Sequence, residues 1–248
     1  MNTYVLVPGF WLGGWAWEKV ARPLREAGHD VHPVTLTGLG DRVHLATAET
    51  DLETHIQDII NVIVYADLHD VILVAHSGGG APVTGAADRI PERVARVVYV
   101  DSGPQPDGMS HMDINEPEWT AFIEKRVAEQ GGGTDYPLIS WREQEQAGAS
   151  LEGLGEAERE RFASRATPQP YGTMTQPLKL TGGADRLPKT LITCSFPLEQ
   201  VHAMIASGHP FFAALAGPEW SFDAVPTGHW PMFSKPEETA AALAALSG

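Results

Sequence analysis

The sequence carries a single cysteine, Cys194, in 248 residues. An internal disulfide is therefore impossible, and no Cys/His pair stands at zinc-finger spacing, so a stapled secreted scaffold and a structural zinc site are both excluded. Cationic residues are scarce as well. The 17 Lys and Arg face 32 Asp and Glu, giving a formal net charge of −15, which repels phosphate backbones and anionic membrane surfaces. No apolar run approaches the roughly 20 residues needed to span a bilayer, and no basic segment precedes the strand-like Tyr4-Val5-Leu6-Val7. The expectation is a soluble cytoplasmic protein, monomer or homodimer, with neither nucleic acid nor membrane as partner. What is present is a composition 43% hydrophobic and 20% charged, enough for one well-packed core.

Short β-branched runs alternate with longer amphipathic ones, the pattern of a parallel sheet covered by helices on both faces. Six runs read as strands: Tyr4–Val7, Val31–Leu36, Val71–Ala75, Val94–Val100, Thr190–Cys194 and Trp220–Val225. Trp17, Val20, Ala21 and Leu24 recur at helical spacing before Gly28. Thr50-Asp51-Leu52-Glu53 reads as a capping box for a helix running to about Tyr65, and Ser234-Lys235-Pro236-Glu237 starts a final helix reaching Leu246. Between about Gly103 and Pro188 the strand signal gives way to acidic helical segments. This assigns 1–102 and 189–248 to a core, and 103–188 to a helical cap resting on the carboxyl edge of the sheet.

The strongest chemical signal is Val71-Ile72-Leu73-Val74-Ala75-His76-Ser77-Gly78-Gly79, an apolar strand running into small-x-Ser-x-Gly and then a helix. So tight a turn demands small neighbours and lifts the serine hydroxyl to a helix N-terminus, the context of a nucleophile elbow. Ala75 replaces the commoner glycine, and a phosphate loop is disfavoured because no Gly-Lys-Ser/Thr ending follows. A serine needs a base. Of the 10 histidines, His229 stands between the last strand and the last helix, at the same sheet edge. His76 is expected to face away from the cleft, and His76, His202 and His209 read as structural or solvent-facing. An oxyanion hole needs two backbone N–H groups; Gly78 supplies one, and Phe10, in Val7-Pro8-Gly9-Phe10-Trp11, the other.

On these residues, with Thr37-Gly38-Leu39-Gly40-Asp41-Arg42 and Gly228-His229, the chain resembles the α/β-hydrolase superfamily. The likeness is to its small-cap branch of plant methyl-ester esterases, hydroxynitrile lyases and related bacterial esterases. The resemblance implies an α/β fold, a six-stranded mostly parallel sheet in order 2-1-3-4-5-6 flanked by helices, and an inserted cap. It also implies a triad acid just after the fifth strand, yet Thr193-Cys194-Ser195-Phe196-Pro197 offers no carboxylate there. Glu199 is the nearest; Asp101, ending the fourth strand, is preferred, as in superfamily members that take their acid from that strand.

The expected function is a cofactor-independent, metal-free serine esterase or lactonase acting on a small, largely hydrophobic substrate. Trp11, Trp119, Phe122, Trp141, Met174 and Trp230 are the candidate binding residues. A hydroxynitrile-lyase-like enzyme is the alternative, disfavoured because Trp230 stands where those lyases carry a lysine after the histidine; a non-catalytic small-molecule receptor on the same fold is the other. Cys194 reads as a core side chain. Asp41 and Arg42 read as a pocket border or an exposed ion pair, and Glu156, Glu158 and Glu160 as a solvated helix face.

Overall fold

The computed structural model describes residues 1–208, 212 and 214–246, so His209 lies outside the described residues. Six parallel strands form the sheet: β1 (Thr3–Val7), β2 (Asp30–Pro33), β3 (Val71–His76), β4 (Val94–Val100), β7 (Lys189–Thr193) and β8 (Trp220–Ala224), in the order β2-β1-β3-β4-β7-β8. The second strand stops at Pro33, short of the expected Leu36.

Side chains alternate across the sheet. Tyr4 and Leu6 of β1 and Ile72 and Val74 of β3 face α1 (Glu18–Glu26) and the final helix Pro236–Ala244. Val5, Val7, Leu73 and Ala75 face α2 (Leu52–Tyr65) and α3 (Gly80–Arg89). Because both faces are covered, β3 is buried along its whole length, which is why it reads as a continuous apolar run.

Two helix starts differ from the sequence expectation. The capping box of α2 is formed by Asp51 and Thr54, one residue on from Thr50 and Glu53. Ser234 closes a short helix, Pro231–Ser234, and Lys235 precedes the final helix without a side-chain cap. Between β4 and β7 the chain forms α4 (Pro117–Gln130), α5 (Trp141–Gln146), α6 (Glu156–Arg165) and α7 (Gly172–Thr175). It also contains two short antiparallel strands, β5 (Asp135–Tyr136) and β6 (Gln169–Pro170), which the sequence pattern did not reveal. Ile123, Phe162 and Met174 from this segment join the same core cluster as Tyr4 and Leu6. Among the described residues no helix is long and apolar enough to cross a membrane.

Arg42 neither borders the reactive cleft nor pairs with Asp41. It bonds the Asp58 carboxylate of α2 at 2.9 Å, and Thr37 N–H donates to the same carboxylate at 2.6 Å. Asp41 lines a surface groove with Trp15 and Arg165. Asp58→Ala leaves the Thr37 N–H and the Arg42 guanidinium without their acceptor; a loss of about 2 kcal/mol is expected, read as a lower urea midpoint.

Candidate active site

Two neighbouring strands deliver the reactive groups. His76 ends β3 and Val100 ends β4, and these are register partners. The next residue of each, Ser77 and Asp101, has a left-handed backbone, with φ of 49° and 44°. Such conformations are uncommon outside glycine and cluster at functional sites. Here they turn the two chains off the sheet edge side by side. Space forces the neighbouring glycines: a Cβ on Gly9 would lie 2.8 Å from Ser77 Cβ, and one on Gly79 would lie 2.7 Å from the Pro8 carbonyl oxygen. Ser102 Oγ holds the turn by donating to the Ser77 carbonyl at 2.6 Å.

His229 bridges the pair. The Ser77 hydroxyl donates to its Nε2 at 2.8 Å, and its Nδ1–H donates to Asp101 Oδ2 at 2.6 Å, an arrangement that fixes the tautomer with Nε2 free to accept. The Asp101 side chain is 0% exposed and that of His229 20%. Asp101 also accepts from Ser195 Oγ at 2.6 Å and from the backbone N–H groups of Cys194 and Ser195 at 3.0 and 2.9 Å. Burial alone would raise this carboxyl, but the hydrogen bonds from His229 and Ser195 outweigh it and hold Asp101 below the ordinary carboxylate range. Glu199, by contrast, is exposed in the first turn of α8 (Leu198–Ala206), and its carboxylate makes no hydrogen bond or ion pair among the described residues. The sheet geometry therefore brings Asp101, and not Glu199, to His229.

His76 is structural: its ring is fully buried, lies edge-on to the buried Trp17, and donates through Nε2 to the His229 carbonyl at 2.7 Å. Burial, reinforced by the neighbouring His229, lowers its pKa to about 3. His202 is exposed on α8, edge-on to Phe222. Cys194 is buried, which pushes its thiol up.

Gly78 lies in the first turn beyond the elbow, where backbone N–H groups lack intrahelical acceptors, and the Phe10 ring lies so close that a Cβ on Gly78 would be 2.5 Å from it. Trp11, also left-handed at φ 65°, is tied down by the segment between β4 and β7. Its N–H donates to Gln169 Oε1 at 3.2 Å, its indole to the Tyr136 carbonyl at 3.0 Å, and Thr167 N–H donates to its carbonyl at 3.0 Å. The same segment braces the histidine loop: Gly228 and His229 N–H donate to the Glu152 and Ser150 carbonyls at 3.0 and 2.8 Å.

A cavity of about 280 Å³ opens on Ser77 and His229, with Trp11, Trp119, Met174 and Trp230 in its wall. Phe122 and Trp141, expected there, stand one layer behind. Trp119 and Ile123, four residues apart, share the cavity face of α4, whereas Phe122 stacks on Trp119 with ring centroids 4.5 Å apart; Trp141 packs edge-on against Trp230 at 5.6 Å. Sequence reasoning missed Ser195, Ser102, Tyr136 and His111. The last two line the cavity without a side-chain hydrogen-bond partner among the described residues, and His111 stands edge-on to Phe10. Burial lowers His111 to about 4. A polar residue at a strand's carboxyl end was the available signal for Ser195; nothing in the local pattern marked the others.

A family model described as "Alpha/beta hydrolase family" matches residues 4–242. A carbendazim hydrolyzing esterase from Nocardioides sp. (strain SG-4G) is 34% identical over 260 residues, covering 99% of this chain and 100% of that one. Putative methylesterase 12, chloroplastic, from Arabidopsis thaliana is 27% identical, with 96% and 69% of the two chains covered. Among solved structures, an extracellular alpha/beta-hydrolase from a Paenibacillus species superposes with a TM-score of 0.81 at 22% identity, covering 98% of each chain.

The buried histidines set the acid response. The ordinary histidine value is 6.5, against about 3 for folded His76. Between these values the unfolded chain binds a proton that the native state refuses. The stabilisation is thus complete above pH 6.5 and is lost as pH falls toward 3, roughly 2 kcal/mol from this group by about pH 5. His55 and His111, also lowered by burial, act in the same direction. Thermal midpoints followed by circular dichroism should drop steadily from pH 7 to 4.5, less steeply in His76→Gln; a flat profile contradicts this.

Proposed function

The chain belongs to the alpha/beta hydrolase family as a carboxylic ester hydrolase, and from that premise we propose that it is a cofactor-independent serine hydrolase of small, largely hydrophobic esters or lactones. The observation that carries the reading is the unbroken hydrogen-bonded line Ser77–His229–Asp101 opening on a cavity walled by aromatic and aliphatic side chains.

In this reading Ser77 Oγ attacks the carbonyl carbon while its proton passes to His229 Nε2, and Asp101, staying ionised, stabilises the imidazolium. The carbonyl oxygen, now an oxyanion, takes hydrogen bonds from the Phe10 and Gly78 N–H groups. His229 then gives its proton to the departing alkoxide oxygen. Water, deprotonated by the same nitrogen, attacks the acyl-enzyme carbonyl; as the tetrahedral adduct collapses His229 returns that proton to the departing Ser77 Oγ, releasing the acid and free Ser77. Residues 103–188 act as the lid. Its hydrogen bonds to Trp11, Gly228 and His229 keep the oxyanion loop and the base in place before substrate arrives. The neighbouring Trp230 gives the site an uncharged aromatic surface beside the base, which favours hydrolysis of an uncharged ester over handling of a charged leaving group.

The test is hydrolysis of p-nitrophenyl esters together with fluorophosphonate labelling. Ser77→Ala should lose the label and at least about 10⁴-fold in kcat, and Asp101→Asn about 10⁴-fold with labelling slowed, because the wrong imidazole tautomer is favoured. Glu199→Gln should stay within about twofold of wild type, as expected of a surface change away from the site. Full activity of Ser77→Ala, or a loss in Glu199→Gln matching that of Asp101→Asn, refutes the assignment.

A further inference from the structure

Ser77 does not stand at the end of one cavity; it stands between two. Beyond the cavity of about 280 Å³ lies another of about 360 Å³, with Ala81, Gly103, Gln105, Ile114, Leu191 and Leu215 in its wall. The walls come from different parts of the fold. The first is built from the oxyanion loop, the histidine loop and the lid. The second is built from the start of α3, the loop leaving β4, and β7 with the residues beyond it. Ser77, His111 and Phe196 are common to both.

The chemistry of the second wall is that of a binding surface. Small and aliphatic side chains dominate it, and the amide of Gln105 is already committed to the Met109 carbonyl at 2.7 Å. Thr193, 3% exposed, keeps its Oγ1 buried with no hydrogen-bond partner among the described residues. Ligand pockets combine such apolar walls with a few uncommitted polar groups. Size adds a constraint. The methoxy group of a methyl ester puts two heavy atoms on its side of the carbonyl carbon, and these fill neither cavity.

We propose that the second cavity is a substrate subsite, and that the protein takes esters bearing a bulky apolar group on each side of the scissile carbonyl, one in each cavity, in preference to simple methyl esters. The proposal rests on Ser77 being the nucleophile, since only then does the carbonyl lie at the junction. His111, on the shared wall, then faces the ester linkage, and its uncharged imidazole offers one donor and one acceptor there. Phe196, 55% exposed, closes the junction from the solvent side.

Three esters separate the possibilities: benzyl phenylacetate with two large arms, methyl phenylacetate with a large acyl arm only, and benzyl acetate with a large alcohol arm only. The expected kcat/KM for the two-armed ester exceeds each of the others by at least about tenfold, the discrimination that an apolar pocket supplies. Gly103→Phe should erase most of that advantage. Gly103 is exposed at the edge of the second cavity and a Cβ there meets nothing within 4 Å, so the ring is accommodated without displacing backbone; the buried Ala81→Leu narrows the same cavity from α3 should the first variant fold poorly. Calorimetric binding of the three intact esters to Ser77→Ala should give the same ranking. Methyl phenylacetate performing as well as the two-armed ester overturns the proposal. So does a Gly103→Phe protein slowed equally on all three esters, the behaviour of a water or product channel. If wild type hydrolyses none of them, the hydrolase reading fails while the binding ranking still decides this one.

Discussion

The buried carboxylate of Asp101 is the constraint around which the site is built. An ion with no solvent exposure is tolerated only when its lone pairs are met by donors, and four hydrogen bonds reach it, from His229, from Ser195 Oγ and from the Cys194 and Ser195 N–H groups. Meeting that demand fixes three pieces of chain at once: the end of β4, the turn after β7 and the loop carrying His229. The parallel register does the rest. Because His76 and Val100 are partners on strands about 4.8 Å apart, Ser77 and Asp101 leave the sheet as neighbours, and one imidazole spans them.

The segment between β4 and β7 is coupled to this centre through hydrogen bonds to its backbone. The Ser150 and Glu152 carbonyls accept from His229 and Gly228, and Gly228 must be glycine because a Cβ there would lie 2.5 Å from the Ser150 oxygen. Gln169, itself bonded to Thr173 Oγ1 at 2.8 Å, accepts from the Trp11 N–H. Trp11 and Ser77 are both left-handed, and such residues persist only where the surroundings over-determine them. Gln169, Tyr136 and Thr167 supply that determination for Trp11, as Ser102 does for Ser77. One segment thus braces both the loop after β1 and the loop carrying His229.

Much of this was legible in the sequence, for a local reason. A strand buried on both faces must read as an unbroken apolar run, and a tight strand-to-helix turn must be flanked by small residues, so β3, Ser77 and Gly78 announce themselves. His229 followed from its place after the last strand. The misreadings share a cause in the opposite direction. Thr50 and Asp51 are both good caps, and only the packed start of α2 selects Asp51. Phe122 and Trp141 have the composition of pocket residues, but the face a helix turns inward is set by its neighbours. β5 and β6 are two residues each, too short for any periodicity to register.

The acid is the instructive case, because the resemblance implied a carboxylate after the fifth strand of the sheet and the chain has Ser195 nearby instead. Moving the acid to the adjacent strand preserves its distance from the base, since strand spacing is fixed, but it leaves the turn after β7 beside a buried negative charge. A carboxylate retained there would set two anions side by side and raise one of their pKa values. A serine does the reverse: its hydroxyl and its N–H both donate to Asp101. A donor after β7 and a carboxylate at the end of β4 are therefore matched to each other. The hydroxyl that looks like a gap in the motif is part of what keeps Asp101 ionised.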